Sequence, residues 1–311
     1  MSPASVRAAA VETAGRRGGW VPDVDARLAA LESPVRDVLD SSLGTLADAD
    51  RITLVPDAHY PFHPSSGMVT DPAVIGAMVA LLEDETDTEI AVAGASDDTI
   101  AFDRTADYLG YTSLLERFDA TLVDLAAESR VDEGYTVDGT PVMFSIPERL
   151  VESAVVVVPS LRPTADGPVA GAMRTLADFV DSSGAPDQAL SSVAATRVLE
   201  PAVAVVDATT AYGGEPVAAD VLFSGAPSAV DAVASSLLGR SLETDDALKT
   251  VREDEEPVSV DGAVDFDRLR ARIPDGELPP PDDPHPAVST AYRVYAAVAG
   301  DAVPPQLEGG R

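Results

Sequence analysis

The stretch SAVVVVPSLRP, residues 153–163, decides the fold class of this chain, because an unbroken apolar run ends directly in polar residues. A strand that is apolar at every position is typical of a sheet covered on both faces, and such sheets are mostly parallel. Outward from this run, short β-rich segments alternate with helical ones. The alternation predicts an α/β fold with a mainly parallel sheet and crossover helices.

Periodicity and turn residues assign the flanking segments. Thr70-Asp71-Pro72 predicts the start of a helix, since Thr or Asp caps a helix and Pro suits its first turn. Residues 135–146 predict one antiparallel hairpin with its turn at 137–140. The other predicted strands cover 52–55, 89–93, 120–125, 203–206 and 220–224, and the other predicted helices cover 24–47 (with a break or kink at Pro34), 101–117, 168–180 and 228–238.

Composition divides the chain into three segments. Residues 1–50 are predicted to form an N-terminal arm, up to residue 22, followed by a helix. Residues 51–240 are predicted to form the α/β core. Residues 241–311 combine an acidic, Pro-rich flap, a C-terminal helix at 287–299 and a tail.

The charge balance restricts the classes of partner. The chain has 21 Lys and Arg against 53 Asp and Glu, a formal net charge of −32. Such a surface repels phosphate backbones and anionic lipid headgroups. There is also no apolar run near the ~18 residues of a membrane span, and no secretory signal pattern. We therefore expect a cytoplasmic protein without nucleic-acid or membrane partners, and the oligomeric state stays open.

The choice of basic residues is skewed as well. Lys249 is the single lysine, so the other 20 of the 21 basic residues are Arg. This pattern predicts adaptation to a salt-rich cytoplasm, where repulsion between carboxylates is screened. The alternative is an ordinary acidic protein from a high-GC genome, in which codon usage replaces Lys by Arg.

The cysteine count of zero excludes a cysteine nucleophile, thiolate zinc sites, disulfides and a cysteine-ligated iron–sulfur cluster within the chain. Other cofactors stay unknown.

Candidate functional residues follow from one rule. In open parallel sheets, ligands collect beyond the carboxyl ends of the strands. Parallel strands would bring the residues that follow them to one edge. The residues selected in this way are Asp57, His59, His63, Gly94, Ser96, Ser160, Arg162 and Asp207.

A metal site is one interpretation of this edge. Imidazole and carboxylate ligands from His59, His63 and Asp57 suit zinc, nickel, iron or manganese. Pro61 and Pro64 forbid a regular helix between them. The other interpretation, which we favour, is a surface loop with two polar histidines. His285 lies among acidic residues and prolines and is expected to be solvated.

Anion binding is a second interpretation. Arg162 follows the apolar strand and Arg174 lies in an apolar helix, so two guanidinium groups could hold one carboxylate or phosphate. Local pairing with Asp166 or Asp178 is the alternative. Ser96 could present a backbone N–H to an anion, but a helix cap is the preferred interpretation.

Two further carboxylates are candidates for catalysis. Asp207 is expected to end a strand, and Asp231 lies at the edge of an apolar helix face. With Asp57 and His59, they could serve as general bases or metal ligands. Pairing with Arg, or capping of a neighbouring loop, is the more frequent role of such residues.

Four segments carry a resemblance to a known family. They are VPDAHYPFHPSSGMVTDPAVIGAMVALL (55–82), AGASDDTIAFDRTADYLGY (93–111), SAVVVVPSLRPTADGPVAGAMRTLADF (153–179) and VVDATTAYGGEPVAADVLFSGAPSAVDAVASSLLG (205–239). In order and spacing, residues 51–240 resemble the domain of unknown function 362 family. Many relatives carry ferredoxin-like iron–sulfur domains, but this chain has no cysteine to hold a cluster.

The chain departs from the family pattern at several positions. Arg162 stands where the resemblance implies a Lys of a Lys-Thr-His motif, and Arg174 where it implies the Lys of a Lys-Asn pair. Val55-Pro56-Asp57 stands where the resemblance implies a Lys followed by a Pro-Asn pair. Ala226 replaces an early Asp, whereas Asp231 matches the late one. The resemblance implies a fold and a family, and it implies no reaction.

Two hypotheses about function remain. The first is a protein that binds or transforms a small anionic metabolite at the strand edge, with Arg162 and Arg174 on the anion and Asp57 with His59 or His63 for acid–base work. The second is a non-catalytic binding or assembly protein that has lost the Lys and His positions of the family.

Overall fold

Two β-sheets and the helices around them form the described part of the chain. A computed structural model describes residues 4–12, 24–96, 100–137, 139–165, 167–183, 187–252 and 257–274. The strands are β1 (Ser5–Ala10), β2 (Arg51–Pro56), β3 (Glu89–Gly94), β4 (Ala120–Asp124), β5 (Arg130–Val137), β6 (Thr140–Pro147), β7 (Ala154–Val158), β8 (Asp181–Ser183), β9 (Val203–Tyr212), β10 (Pro216–Gly225) and β11 (Ser259–Asp261). The helices are α1 (Val24–Leu39), α2 (Leu43–Ala47), α3 (Pro72–Glu85), α4 (Phe102–Leu109), α5 (Tyr111–Leu115), α6 (Glu148–Val151), α7 (Gly171–Ala177), α8 (Gln188–Leu199), α9 (Pro227–Leu237), α10 (Asp246–Arg252) and α11 (Phe266–Arg270).

The larger sheet confirms the predicted fold class. Its strand order is β11-β1-β10-β9-β7-β2-β3-β4. From β9 to β4 every neighbouring pair is parallel, while β10 is antiparallel to both β9 and β1. The smaller sheet, β5-β6-β8, contains the predicted antiparallel hairpin.

Strand β7 shows why the apolar run was informative. Its alternate side chains enter two different clusters of buried residues, Val155 and Val157 in one and Val156 and Val158 in the other. The first cluster also contains residues of α7, α8, α9 and β6, and the second contains residues of α1, α3, α4 and α5. The sheet is therefore covered on both faces, as an uninterrupted apolar strand requires.

The N-terminal and C-terminal segments correct two expectations. Residues 1–22 were expected to be a loosely attached arm, but residues 5–10 form β1, between β10 and β11 in the sheet. Within the expected flap, α10 contacts α8 and α9, and β11 pairs with β1. These strands depend on pairing partners that are distant in the sequence, which a local pattern does not reveal. The predicted helix at 287–299, the tail and His285 lie outside the described residues.

Helix α1 and strand β9 also differ in their bounds from the prediction. Helix α1 continues through Pro34 and ends at Leu39, so the break lies later than expected, and α2 forms separately. Strand β9 continues to Tyr212, and Gly213 and Gly214 then form the turn into β10. Gly214 has φ +96°.

In the part of the chain that the structure describes, none of the helices combines the length and the apolar character needed to cross a membrane.

Candidate functional site

The carboxyl ends of β2 and β7 bring together the central candidates. The two strands are parallel neighbours and pair Pro56 with Val158, their last residues. Asp57 follows directly, and Ser160 and Arg162 follow β7 shortly after. Parallel pairing is thus the reason that Asp57 meets Ser160 and Arg162, which lie more than 100 residues later in the sequence.

Asp57 is the centre of this cluster. Its side chain is 4% exposed, and one oxygen (Oδ2) accepts hydrogen bonds from Ser160 Oγ at 2.8 Å and from Arg162 Nε at 2.8 Å. The other oxygen (Oδ1) lies 3.3 Å from an Nη of Arg162 and 2.5 Å from Nδ1 of His59. Burial alone would raise the pKa of Asp57, but the charges and hydrogen bonds of Arg162 and His59 outweigh it. The pKa of this carboxyl therefore lies well below its usual range, and the group is ionised.

The loop that carries His59 is fixed at its base. The Thr70 hydroxyl accepts the N–H of Asp57 at 2.9 Å and donates to the carbonyl of Val158 at 2.5 Å. The Thr70 N–H returns to the Asp57 carbonyl at 2.9 Å. Gly67, with φ +71°, packs so closely that a Cβ there would lie 2.9 Å from the carbonyl carbon of Ala211. Loop 57–70 is therefore held against both β7 and β9.

His59 presents one ring nitrogen outward. Its side chain is 40% exposed, and Nδ1 faces the carboxylate of Asp57. Since an ionised carboxylate only accepts, we assign the proton of neutral His59 to Nδ1, which leaves Nε2 as an acceptor. No hydrogen bond of Nε2 is found among the described residues. This arrangement, a carboxylate that orients an imidazole, is the one used by acid–base histidines and by metal-ligating histidines.

The predicted metal set does not assemble. His63 points its Nδ1 at its own turn, where it accepts the N–H of Ser65 at 3.2 Å and contacts Ser65 Oγ at 2.7 Å. Burial lowers the pKa of His63, which favours the neutral ring. Over the described ranges of the chain, no group of three or more acidic or imidazole side chains could hold a metal ion. A metal at His59, His63 and Asp57 thus lacks structural support.

Arg174 belongs to a different cluster from Arg162. Its two terminal nitrogens bind the two carboxylate oxygens of Asp245, at 2.8 and 3.1 Å, and both side chains are buried. Arg162 and Arg174 therefore do not form the expected common anion site, because Arg162 binds the buried carboxylate of Asp57 and Arg174 binds that of Asp245. Of the acids proposed for local pairing, Asp166 lies outside the described residues.

Asp231 caps a helix. It is 1% exposed, and its carboxylate oxygens accept the N–H groups of Ala172 at 2.6 Å and Met173 at 3.0 Å, in the first turn of α7. Burial raises the pKa of Asp231 to about 7, and the two backbone hydrogen bonds and Arg174 oppose that rise. Both oxygens of Asp231 are therefore engaged by the backbone at the start of α7.

Asp207 and Ser96 have structural contacts too. Asp207 lies inside β9 and does not end it; its carboxylate accepts the N–H of Asp71 at 2.7 Å and both the N–H and the hydroxyl of Thr209. Ser96 bonds Asp124 and accepts the N–H of Phe102, the first residue of α4, at 2.8 Å. The hydroxyl of Ser96 thus accepts the first N–H of α4, although Ala101 is the residue that precedes this helix.

Sequence reasoning missed two residues that shape these clusters. Thr70 was predicted only as a helix cap, but its hydroxyl joins β2 to β7. Asp245 was included in the acidic flap, although it is 1% exposed and binds Arg174. A buried acid among many exposed ones has no signature in a single sequence.

Comparison with known proteins gives one family. The family described as Domain of unknown function (DUF362) has a model that matches residues 52–236. This span is more than half of the 311 residues and includes Asp57, His59, Arg162 and Asp231. Neither the curated proteins nor the solved structures contain a match.

Proposed function

The chain belongs to the DUF362 family, and since that family carries no assigned reaction in its description, we propose a function from the site itself. We propose that the cluster of Asp57, His59, Ser160 and Arg162 binds a small anionic metabolite. In this proposal His59 exchanges a proton with the bound molecule.

The single observation that carries the proposal is the Asp57–His59–Arg162 arrangement. A buried, ionised carboxylate orients an imidazole, and a guanidinium lies beside that ring, 3.5 Å from Nδ1. The fixed positive charge favours an anion, and Nε2 of His59 supplies a group that accepts a proton. Loop 57–70, fixed at its base, keeps the ring in position before any ligand arrives.

Arg162 has capacity left for a ligand. Its contacts with Asp57 use Nε and one terminal nitrogen, Nη2. For the other terminal nitrogen, Nη1, no hydrogen bond is found within the described ranges. Arg162 can therefore hold Asp57 and still donate to an oxyanion, which a Lys in its place could not do bidentately.

The test is anion binding by the whole chain, with potassium chloride held constant. Inorganic phosphate and malonate serve as probes in isothermal titration calorimetry. We expect at least one of them to bind, and Arg162→Lys to weaken that binding about ten-fold or more, because the guanidinium fork is lost while the charge is kept.

Arg149→Lys is the matched control. Arg149 also pairs with a carboxylate, that of Glu89 at 3.0 Å. Glu89 begins β3, so this pair lies at the amino ends of the parallel strands, opposite to the proposed site at their carboxyl ends. The control variant should leave binding unchanged. If neither probe binds, or if both variants weaken binding equally, the proposed site is wrong.

A non-catalytic binding or assembly protein is the second candidate. The observation in its favour is that Arg174, Asp207 and Asp231 are all engaged in buried internal contacts. Calorimetry in two buffers of different ionisation enthalpy distinguishes the candidates. Proton uptake on binding that disappears in His59→Asn supports acid–base work; binding without proton uptake supports the second candidate.

We further propose that the protein works in a salt-rich cytoplasm. The net charge of −32 and the single lysine support this proposal. At molar salt the Debye length is about 3 Å, so neighbouring carboxylates hardly repel each other.

A further inference from the structure

Tyr212 carries a hydroxyl that is buried and has no partner. The residue ends β9 and is 1% exposed. No hydrogen-bond partner of the hydroxyl is found in the part of the chain that the structure describes. Leaving a buried hydroxyl unsatisfied costs about 1–3 kcal/mol. Native proteins therefore satisfy nearly all such groups, and each exception requires an explanation, of which a bound ligand, ion or water is one.

Tyr212 lies beside the segments that build the site. Its N–H donates to the carbonyl of Leu161 at 2.9 Å, and Leu161 is the residue before Arg162. Loop 57–70, which carries His59, also reaches this end of β9, since a Cβ on Gly67 would lie 2.9 Å from the Ala211 carbonyl carbon. The backbone of Tyr212 thus adjoins one of these segments directly and the other through its neighbour.

We propose that the hydroxyl of Tyr212 is a further ligand-binding group, which donates a hydrogen bond to an oxyanion held by Arg162. The inference rests on the proposed function and makes it more specific. The ligand needs at least two acceptor oxygens, one for the guanidinium and one for the phenol. Carboxylates and phosphates both meet this requirement.

The protonation of the phenol is consistent with that role. Burial raises the pKa of Tyr212 above its ordinary value, so the hydroxyl keeps its proton at neutral pH. A protonated phenol donates its O–H, so it suits an anionic acceptor better than a cation.

The experiment is Tyr212→Phe, which removes only the oxygen. We expect opposite effects on stability and on binding. The melting temperature should rise by roughly 2 °C or more, because an unsatisfied buried hydroxyl is removed. The dissociation constant of whichever probe binds, phosphate or malonate, should increase about ten-fold.

Two controls fix the meaning of these effects. Tyr111 is also buried, but its hydroxyl donates to the Thr70 carbonyl at 3.2 Å, so Tyr111→Phe should lower the melting temperature. Tyr135 lies in the smaller sheet, on β5, and Tyr135→Phe should leave binding unchanged.

The outcomes distinguish a failure of this inference about Tyr212 from a failure of the proposed anion site. If Tyr212→Phe binds the probe as the unaltered chain does while Arg162→Lys binds it more weakly, only the role of Tyr212 is wrong. A lower melting temperature of Tyr212→Phe would show that the hydroxyl has a partner inside the protein and would also overturn it. If neither probe binds the unaltered chain, the proposed function fails and this inference falls with it.

Discussion

The buried carboxylate of Asp57 is stabilised by charged and polar neighbours as well as by packing. A carboxylate that is 4% exposed has lost most of its water, and Arg162, His59 and Ser160 replace that solvation. Removing one partner of such a buried pair costs about 3–5 kcal/mol, since the other charge stays behind. For this reason the proposed binding test uses Arg162→Lys, which keeps the charge, and not a truncation to Ala.

At the residue scale, the two described histidines should have opposite tautomers. Nδ1 of His59 donates to Asp57, whereas Nδ1 of His63 accepts the N–H of Ser65. We expect the proton on Nδ1 in His59 and on Nε2 in His63 when both rings are neutral. The chain has three histidines, so ¹⁵N-labelled imidazole spectra are simple, and His59→Asn and His63→Asn assign the signals. Identical tautomers at both positions would contradict the arrangement of the site.

The sequence was sufficient to predict part of this cluster. Asp57, Ser160 and Arg162 follow strands that were recognised as parallel, so their meeting follows from the topology. The sequence did not predict which carboxylate each Arg would bind. With 53 acids in the chain, Asp57 and Asp245 could be distinguished only by burial, which depends on the whole fold.

At the element scale, α7 depends on another helix. It begins after Ala170 without a side-chain cap of its own, and Asp231 of α9 accepts its first N–H groups. Gly171 starts the helix with φ +62°, and a Cβ there would lie 2.6 Å from the Asp231 carboxylate. The predicted helix at 168–180 was therefore right in kind, but its start is set by a contact across 59 residues.

Gly171→Ala tests this contact. We expect a loss of about 2–4 kcal/mol in the free energy of unfolding, because left-handed backbone strain adds to the clash with Asp231. Gly110→Ala is the control: Gly110 has φ +90° but nothing within 4 Å of a Cβ, so it should cost only about 1 kcal/mol. Urea unfolding at constant potassium chloride gives both values. Equal losses in the two variants would show that the contact between Gly171 and Asp231 is not close.

The pH dependence of stability gives a second test of the same helix end. Burial raises the pKa of Asp231 from 3.8 to about 7, and Arg174 and Asp245 are the charged groups that act on it. A raised pKa stabilises the fold fully below about pH 4, and that contribution is lost as the pH rises through 7. The free energy of unfolding should thus fall between about pH 4 and pH 7 by a component that Asp231→Asn removes.

His63 changes stability in the opposite direction. Its lowered pKa makes the fold less stable as the pH falls below the unfolded value of about 6.5. The comparison is therefore made in the His63→Asn background. An unchanged slope in the Asp231→Asn protein would show that this carboxyl is ionised throughout the range.

At the scale of the whole molecule, the five parallel strands of the larger sheet could be predicted from the sequence, but the outer strands β1 and β11 could not. Strands β2, β3, β4, β7 and β9 contain apolar runs, which can be recognised from a short stretch of sequence alone. Strand β11 has only three residues, and both β1 and β11 extend the sheet by pairing with strands that are distant in sequence, β1 with β10 and β11 with β1. The predicted division at residues 1–50, 51–240 and 241–311 therefore needs a test of its own, for example by limited proteolysis.

The last prediction concerns salt, because a net charge of −32 acts on the molecule as a whole. Described surface pairs such as Arg36 with Glu85 and Arg7 with Asp40 neutralise single acids, but the chain has far more acids than bases. The Debye length falls from about 10 Å at 0.1 M salt to about 3 Å at 1 M, which screens the excess repulsion. We expect the melting temperature, followed by circular dichroism, to rise steeply between about 0.1 and 2 M potassium chloride.

A variant separates screening from general effects of salt on hydration. Asp107, Asp119, Asp132 and Glu133 are exposed, and replacing them by Asn or Gln removes four charges without touching the core. By the screening argument this variant should melt higher than the unaltered chain at low salt, and it should gain less from added potassium chloride. Parallel salt curves for the two proteins would assign the effect to hydration. A melting temperature that does not change with salt in either protein would exclude the salt-adapted interpretation.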